Sequence, residues 1–275
     1  MRTWSFAKGH GTLNDFVLVK DRSGMLHFTA EDVRFLCDRR AGIGADGFIR
    51  AVKAVNVPEW TGPGDLWFMD YRNADGSLAA MCGNGLRVFV RWLLDEDLVA
   101  GDVIQIATRA GIREARVCRD GRISAAMGIP VRDDRDTTAR QSDRIWTGRR
   151  VDVGNEHCVI RLSGPEELAA LDLSHDIGLD PDVFPDGANV EFVVASDDRH
   201  LTMRVRERGA GETMSCGTGV VAVCCDRRDD TGIPGPYRVQ VPGGLLRVDF
   251  TDQGEAWLTG PAVIVAHGEV IVPDE

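Results

Sequence analysis

Residues 81–89 read MCGNGLRVF, and residues 215–223 read SCGTGVVAV. Each stretch places a cysteine and two glycines directly before an apolar run, a pattern that predicts a glycine-rich turn opening a helix. The turn with Cys82 lies in the first half of the chain, and the turn with Cys216 lies in the second half. The duplication indicates that a structural unit is repeated.

The surroundings of the two turns also match. Nine residues before each cysteine a polar residue ends a strand-like run, Asn73 in the first half and Glu207 in the second. Earlier in each half an asparagine leads into a short apolar strand, Asn14 in NDFVLV and Asn155 in NEHCVI. This layout predicts two copies of one fold, each of which contributes one cysteine.

The composition excludes several classes of partner. The formal net charge of the 275 residues is −11. Nucleic acids and anionic membranes are polyanions themselves, so this charge argues against both as partners. No stretch approaches the roughly 18 apolar residues of a membrane span, and the N-terminus lacks the apolar core of a signal peptide. We therefore expect a cytoplasmic protein.

Cysteine usage points the same way. Seven cysteines are spread over the chain, and none has CxxC spacing. An odd number of dispersed cysteines is typical of a reducing compartment, and the absence of paired spacing gives no support for a zinc site. We expect most of the cysteines to be free thiols, and we expect no bound metal.

The chain divides into recognisable segments. DFVLVK predicts a strand, and FTAEDVRFLCDRR predicts a helix with Thr29 as its N-cap. Residues 130–144, PVRDDRDTTARQSDR, carry almost no aliphatic side chains, which predicts a linker. We expect an N-terminal lobe of residues 1–129, a C-terminal lobe of residues 130–263, and a last strand, 264–275, that completes the first lobe.

A cysteine at a helix start has useful chemistry. The helix dipole and the unpaired N–H groups of the first turn favour a thiolate, and the same N–H groups bind carboxylates. Two such sites facing one α-carbon would let one thiolate remove its proton while the opposite thiol supplies another, which inverts the stereocentre. A single CGxG turn is more simply explained as a tight turn with a buried cysteine, and the pattern alone leaves that alternative open.

Six motifs spread over nearly the whole chain carry a resemblance to a known family. They are KGHGTLNDF at 8–16, GIGADG at 42–47, NADGSLAAMCGNG at 73–85, GNEHCV at 154–159, ANVEF at 188–192 and RERGAGETMSCGTG at 206–219. Together and in this order they resemble diaminopimelate epimerase, a cofactor-independent two-cysteine enzyme. The resemblance implies an α+β fold of two pseudo-symmetric lobes, each a mixed β-sheet curled around a central helix, with an active-site cleft between them.

The resemblance also implies roles for individual residues. Cys82 and Cys216 are the acid and base, and Glu207 and His157 border the reacting centre. The reacting α-carboxylate is held at four positions after the cysteines: Gly83, Asn84, Gly217 and Thr218. The distal amino-acid end of the substrate is recognised by five polar side chains: Asn14, Asn73, Asn155, Asn189 and Arg208. Two positions depart from the family, with Glu156 where proline is usual and Gly47 where some members carry glutamine.

The implied activity is conversion of LL-2,6-diaminopimelate to the meso form, in the synthesis of lysine and of peptidoglycan precursors. No pyridoxal phosphate, other cofactor or metal is implied. Members of the family are often dimers, so a homodimer is the implied assembly. Two alternatives remain: a related racemase acting on histidine or proline, and a redox sensor whose two thiols form a disulfide.

Overall fold

The computed structural model describes residues 1–273 of the chain. It divides into two compact units, of which the first contains residues 1–125 and the C-terminal segment from Gly260, and the second contains residues 126–259. The last two residues of the predicted strand 264–275 lie outside the described residues. Within the described part, no helix is both long enough and apolar enough to span a membrane.

The described part of the first unit contains eight strands and two helices. The strands are β1 (Arg2–Gly11), β2 (Asn14–Lys20), β3 (Gly47–Lys53), β4 (Trp67–Asn73), β5 (Val103–Thr108), β6 (Gly111–Val117), β7 (Ile123–Gly128) and, from the end of the chain, β18 (Val263–Val272). The helices are α1 (Ala30–Cys37) and α2 (Gly83–Asp95), with a 3₁₀ turn at Ala54–Asn56. The strand order is β18-β1-β2-β3-β4-β5-β6-β7, in which β2–β3 and β4–β5 are parallel and the other neighbours antiparallel.

The second unit has ten strands and two helices. The strands are β8 (Val131–Gln141), β9 (Arg144–Asp152), β10 (Glu156–Arg161), β11 (Gly178–Leu179), β12 (Asn189–Ala195), β13 (His200–Glu207), β14 (Gly211–Thr213), β15 (Tyr237–Val241), β16 (Gly244–Phe250) and β17 (Ala256–Gly260). The helices are α3 (Pro165–Ala169) and α4 (Gly217–Thr231). The main order is β8-β9-β10-β12-β13-β15-β16-β17, and β11 and β14 are short additions beside β8 and β13.

The two units have the same topology. In both sheets the eight main strands follow the sequence of antiparallel, antiparallel, parallel, antiparallel, parallel, antiparallel and antiparallel pairings. In both units the long helix lies in the chain between the two strands that are fifth and sixth in this spatial order. The internal repeat and the mixed-sheet α+β class predicted from the sequence are therefore confirmed.

A long apolar helix forms the centre of each unit. Leu86, Phe89 and Leu93 of α2 are completely buried, and α2 packs against β18, β1, β2, β3, β4 and β6. Helix α4 buries Val220 and Cys224 in the same way and packs against β8, β9, β10, β12 and β16. Burial of one such side chain contributes about 1.5–3 kcal/mol, so the central helix is fixed firmly in its sheet.

The outer face of each sheet is covered by a smaller apolar layer. In the first unit, Val33 and Leu36 of α1 pack on Phe48 of β3. In the second, Leu168 of α3 belongs to a cluster with Phe192 of β12. Because successive side chains of a strand point to opposite faces, the residues between these outward positions face the central helix.

The prediction of a linker at residues 130–144 is wrong. Strand β8 occupies Val131–Gln141 and pairs with β9 in antiparallel register, with a bulge between Arg132 and Asp136. Thr137 and Ala139 are buried, whereas most of the other side chains of β8 are exposed or half-buried. An antiparallel strand needs only one apolar face, and backbone hydrogen bonds hold it whatever its side chains are, so low hydrophobicity did not indicate a linker.

Candidate active site

The sulfur of Cys82 lies at the start of helix α2. Cys82 is the N-cap residue, with φ −138° and ψ 118°, and its Sγ accepts a hydrogen bond from the Gly85 backbone N–H at 3.3 Å. Asn14 Oδ1 lies 3.9 Å from the same sulfur and accepts a hydrogen bond of 3.1 Å from Asn84 Nδ2. The positive end of the helix dipole therefore acts directly on the thiol.

A buried arginine lies beside this helix start. The Arg87 side chain is completely inaccessible, and its Nη2 donates to Asn84 Oδ1 at 3.0 Å and to Thr12 Oγ1 at 3.4 Å. Burial lowers the pKa of the Arg87 guanidinium to about 10, and the charge of Cys82 acts against that decrease. Sequence reasoning missed Arg87, although a lone cation inside the apolar run GLRVFV was a usable signal.

The other predicted polar residues of the first unit are held by different partners. Asn14 Nδ2 donates to Asp46 Oδ2 at 2.8 Å. Asn73, at the end of β4, accepts from the Tyr71 hydroxyl at 3.1 Å and donates to Ser77 Oγ at 3.0 Å. Gly47 pairs with Asn73 across the sheet, and a Cβ added to it would lie only 2.6 Å from the Tyr71 ring. No side chain fits there without displacing that ring.

The sulfur of Cys216 has the corresponding position in the second unit. Cys216 is the N-cap of α4, with φ −110° and ψ 114°, and its Sγ accepts from the Gly219 N–H at 3.4 Å. Thr218 Oγ1 lies 3.4 Å from the sulfur, and Asn189 Nδ2 donates to it at 3.8 Å. The residue is only 5% exposed.

The electrostatic surroundings of Cys216 oppose a negative charge. Burial raises the pKa of the Cys216 thiol well above its ordinary value, and the carboxylates of Glu207 and Glu191 raise it further. Hydrogen bonds from Thr218 and Gly219 act in the opposite direction but do not compensate. Cys216 is therefore held as a thiol in this arrangement.

A buried histidine–glutamate pair lies under the start of α4. His157 Nδ1 and Glu191 Oε1 are 2.7 Å apart, and both side chains are completely inaccessible. His157 Nε2 lies 3.2 Å from Asn155 Oδ1, and Glu191 Oε2 is buried without a hydrogen-bond partner among the described residues. A Cβ added to Gly219 would lie 2.5 Å from Glu191 Oε1, so the carboxylate rests against the first turn of the helix. Glu191 was missed, although a carboxylate inside the apolar strand ANVEFVVA was a signal.

The remaining predicted residues of the second unit also interact with one another. Asn189 Oδ1 accepts from the Arg208 backbone N–H at 2.9 Å, and Arg208 Nη1 donates to the Asp186 carbonyl at 2.7 Å. Glu207 accepts a hydrogen bond from the Thr213 hydroxyl. Glu207 and Arg208 also line a cavity of about 260 Å³ in this unit.

Glu156 leaves its two neighbours in contact. Its carboxylate forms a bidentate pair with Arg150 of β9, at 2.7 Å from Nε and 2.5 Å from Nη2. His157 and Asn155, on either side of it, still approach each other at 3.2 Å. A proline is therefore not needed at this position to bring Asn155 and His157 together.

Both cysteines are free thiols in this structure, as are the other five. Among the described residues, no three or more histidine, cysteine, aspartate or glutamate side chains cluster as metal ligands would. The described features of the two sites are thus sulfur atoms, helix-start N–H groups, amides and a few buried charges.

Comparison with known proteins adds an independent finding. A family model described as diaminopimelate epimerase matches residues 6–132 and 149–265. The chain is 48% identical over 272 residues to the diaminopimelate epimerase of Thermobifida fusca, covering 96% of this chain and 97% of that protein. It is 46% identical over 279 residues to that of Corynebacterium glutamicum strain R, covering 98% of both.

Solved structures share the fold at low identity. A PhzF-family phenazine biosynthesis protein of Bacillus anthracis superposes with a TM-score of 0.71 at 15% identity, covering 99% of this chain and all of that one. A hydroxyproline epimerase of Agrobacterium vitis with bound trans-4-hydroxy-L-proline superposes with a TM-score of 0.69 at 15% identity, covering 99% and 94%. At this identity the likeness concerns the fold alone.

Proposed function

The chain belongs to the diaminopimelate epimerase family, and we propose that it inverts one stereocentre of LL-2,6-diaminopimelate to give the meso isomer. The enzyme is an isomerase, and its product serves lysine and peptidoglycan precursor synthesis. The observation that carries the proposal is the duplicated thiol: in each unit a cysteine caps the central helix, with its sulfur on a backbone N–H and an asparagine within 4 Å.

The proposed reaction uses one sulfur as base and the other as acid. A thiolate takes the α-proton and becomes a thiol, which leaves the electron pair on the α-carbon. The opposite thiol gives its proton to the other face of that carbon and becomes the thiolate. The configuration is inverted, and the net change in the protein is the transfer of one proton between Cys82 and Cys216.

The carbanion requires stabilisation, and the helix starts can supply it. We propose that the backbone N–H groups at Gly83, Asn84, Gly217 and Thr218 hold the α-carboxylate. Negative charge developing on that group is stabilised by fixed N–H dipoles already oriented toward it. No metal or cofactor is needed to balance the reaction, because one proton leaves and one proton arrives.

Recognition of the distal end is assigned to the remaining polar residues. We propose that Arg208 binds the distal carboxylate, because a guanidinium can form two parallel hydrogen bonds with it. The distal ammonium requires oxygen acceptors, and amide carbonyls are suitable ones. The amides proposed for the substrate are Asn14, Asn73, Asn155 and Asn189, while Glu207 and His157 border the reacting carbon. We further propose a cytoplasmic homodimer as the working form.

The test is conversion of LL-diaminopimelate by purified protein under reducing conditions without added pyridoxal phosphate. Chiral chromatography should show the meso isomer approaching equilibrium with its LL precursor. Proline and histidine are offered in parallel at the same concentration. Racemisation of either of these without turnover of diaminopimelate would overturn the substrate assignment, and a folded protein inert toward all three would overturn the proposed function.

A further inference from the structure

The shared topology matches positions between the two units. Phe16 of β2 pairs with Gly47 of β3, and His157 of β10 pairs with Asn189 of β12 in the corresponding parallel ladder. Two residues further along β3 and β12, Ile49 corresponds to Glu191. Each of these side chains lies against the second glycine after the cysteine of its unit. An added Cβ on Gly85 would lie 3.3 Å from Ile49, and one on Gly219 would lie 2.5 Å from Glu191.

At three matched positions the first and second units carry side chains of different charge. The first unit has Phe16 and Ile49 where the second has the buried pair His157 and Glu191. Counting five residues from each cysteine, the first unit has Arg87 where the second has Val221. All six of these side chains are completely buried. The first helix start is thus placed beside a buried cation, and the second beside a buried carboxylate.

Among residues 1–273, the Arg87 guanidinium forms no ion pair with a carboxylate. Its hydrogen bonds go to a carbonyl, an amide oxygen and a hydroxyl, and its Nε has no partner among the described residues. Several other charged side chains of the first unit are already paired with one another: Lys8 with Asp15, Asp70 with Arg50 and Arg109, and Asp46 with Arg39. A thiolate at Cys82 would supply the missing negative charge.

Cys216 is surrounded differently. Glu191 reaches the first turn of α4 from β12, and Glu207 stands at the end of β13. Several other charged side chains of the second unit form ion pairs of their own: Arg161 and Arg132 with Asp226, and Arg150 with Glu156. A thiolate at Cys216 would therefore face carboxylates, one of which is held rigidly by His157.

The neighbouring amides oppose this pattern, but weakly. Asn14 presents its oxygen to Cys82, and Asn189 presents its N–H to Cys216, which favours the reverse distribution of charge. These contacts are 3.9 Å and 3.8 Å long and involve neutral dipoles. Full charges in a buried setting have stronger and longer-range effects.

We propose that Arg87 and Glu191 are positioning residues that give the two sulfurs opposite protonation states before substrate binds. Arg87 stabilises a thiolate at Cys82, and Glu191, fixed by His157, keeps the proton on Cys216. The inference rests on the proposed function for its catalytic consequence: the free enzyme is poised to take a proton with Cys82 and to give one with Cys216.

The test needs no substrate, so it is independent of the proposed function. Each cysteine of the full-length protein is alkylated with iodoacetamide over a range of pH, and mass spectrometry follows each peptide separately. Iodoacetamide reacts with the thiolate, so the pH midpoint of each rate profile reports that cysteine whatever its accessibility. The wild-type protein should give a lower midpoint for Cys82 than for Cys216, and the reverse order would overturn the proposal.

Variants identify the cause. Arg87→Met should raise the Cys82 midpoint by about one pH unit or more, whereas Arg87→Lys should largely preserve it. Glu191→Gln should lower the Cys216 midpoint and leave that of Cys82 unchanged. Ile49→Leu, at the matched apolar position, should move neither. Folded Arg87→Met and Glu191→Gln proteins with wild-type midpoints would contradict the proposal. If a variant does not fold, the order of the Cys82 and Cys216 midpoints in the wild-type protein still tests the proposal.

Discussion

The two units use one scaffold for two electrostatic environments. Each places a cysteine at the N-cap of a buried helix, with Sγ accepting from the third following N–H. Around Cys82 the buried charge is the guanidinium of Arg87, and around Cys216 it is the carboxylate of Glu191 paired with His157. Backbone geometry and local charge are therefore separable. The repeat fixes the position of each sulfur, while a few core residues that differ between the units set the charge beside it.

Removal of the sulfur atom from either unit should reduce activity more than any other change. Cys82→Ser and Cys216→Ser should each reduce inversion of diaminopimelate by about 10²–10⁴-fold, because each change removes a proton-transfer group that the other cannot replace. Chiral chromatography of the reaction measures the loss. Cys118→Ser, a half-buried cysteine outside both sites, is the matched control and should retain wild-type turnover.

The second prediction breaks the charged pair of the second unit. Glu191→Ile introduces the side chain found at the matched position and leaves His157 buried without its partner. This should lower the free energy of unfolding by about 3–5 kcal/mol, as measured by urea denaturation. The double variant His157→Phe and Glu191→Ile copies both positions of the first unit and should recover much of that loss, whereas additive losses would show that the pair is not coupled.

The third prediction compares the two helix-start glycines. Gly219→Ala pushes a Cβ to 2.5 Å from Glu191 Oε1, while Gly85→Ala places one 3.3 Å from Ile49 Cδ1. We expect Gly219→Ala to cost about 1–3 kcal/mol through overpacking. In Gly85→Ala the milder crowding is partly offset by the better helix propensity of alanine. Equal thermal stabilities of the two variants would contradict this difference.

The residues directly before Phe16 and His157 form ion pairs of different strength, and substitutions there should have the smallest effects on stability. Asp15 pairs with Lys8 and Arg39, and Glu156 pairs with Arg150. Burial alone would raise the pKa of Asp15, but hydrogen bonds and charge from Arg39 and Lys8 outweigh it and lower that pKa to about 2. Because the folded-state pKa is depressed, this stability is present above pH 3.8 and is lost as the pH falls toward 2.

Asp15→Asn should therefore cost about 1–2 kcal/mol at neutral pH, after allowance for the exposure of Arg39. Glu156→Gln, in a more exposed pair, should cost less than about 1 kcal/mol. Urea denaturation at pH 7 and at pH 3 measures both. A difference between Asp15→Asn and wild type that grows as the pH falls would have the wrong sign for this account.

Local signals in the sequence predicted most of the scaffold. Apolar runs after CGNG and CGTG predicted the two central helices, and Thr29 caps α1 as expected, with Asp32 N donating to Thr29 Oγ1 at 3.3 Å. These features depend on neighbours within a few residues. Strand β8 was missed because its stability comes from pairing with β9 rather than from its own composition.

The charges beside the sulfurs could not be predicted for a related reason. Arg87 and Glu191 each lie in an apolar segment, and alternation or helical periodicity does not say which partner a buried charge meets. Glu191 contacts His157 across a parallel ladder, 34 residues away in the chain. Such pairs are set by sheet register, which becomes visible only when the fold is known.

In the proposed reaction two different sulfurs serve one α-carbon, and the incorporation of solvent deuterium distinguishes this from a reaction with a single base. In ²H₂O, the first meso product formed from LL-diaminopimelate should carry one deuterium at the inverted centre. The recovered LL substrate should carry none, because the abstracted proton stays on a sulfur other than the donor. Deuterium appearing in recovered substrate as quickly as in product, or meso product that retains the original proton, would contradict the account.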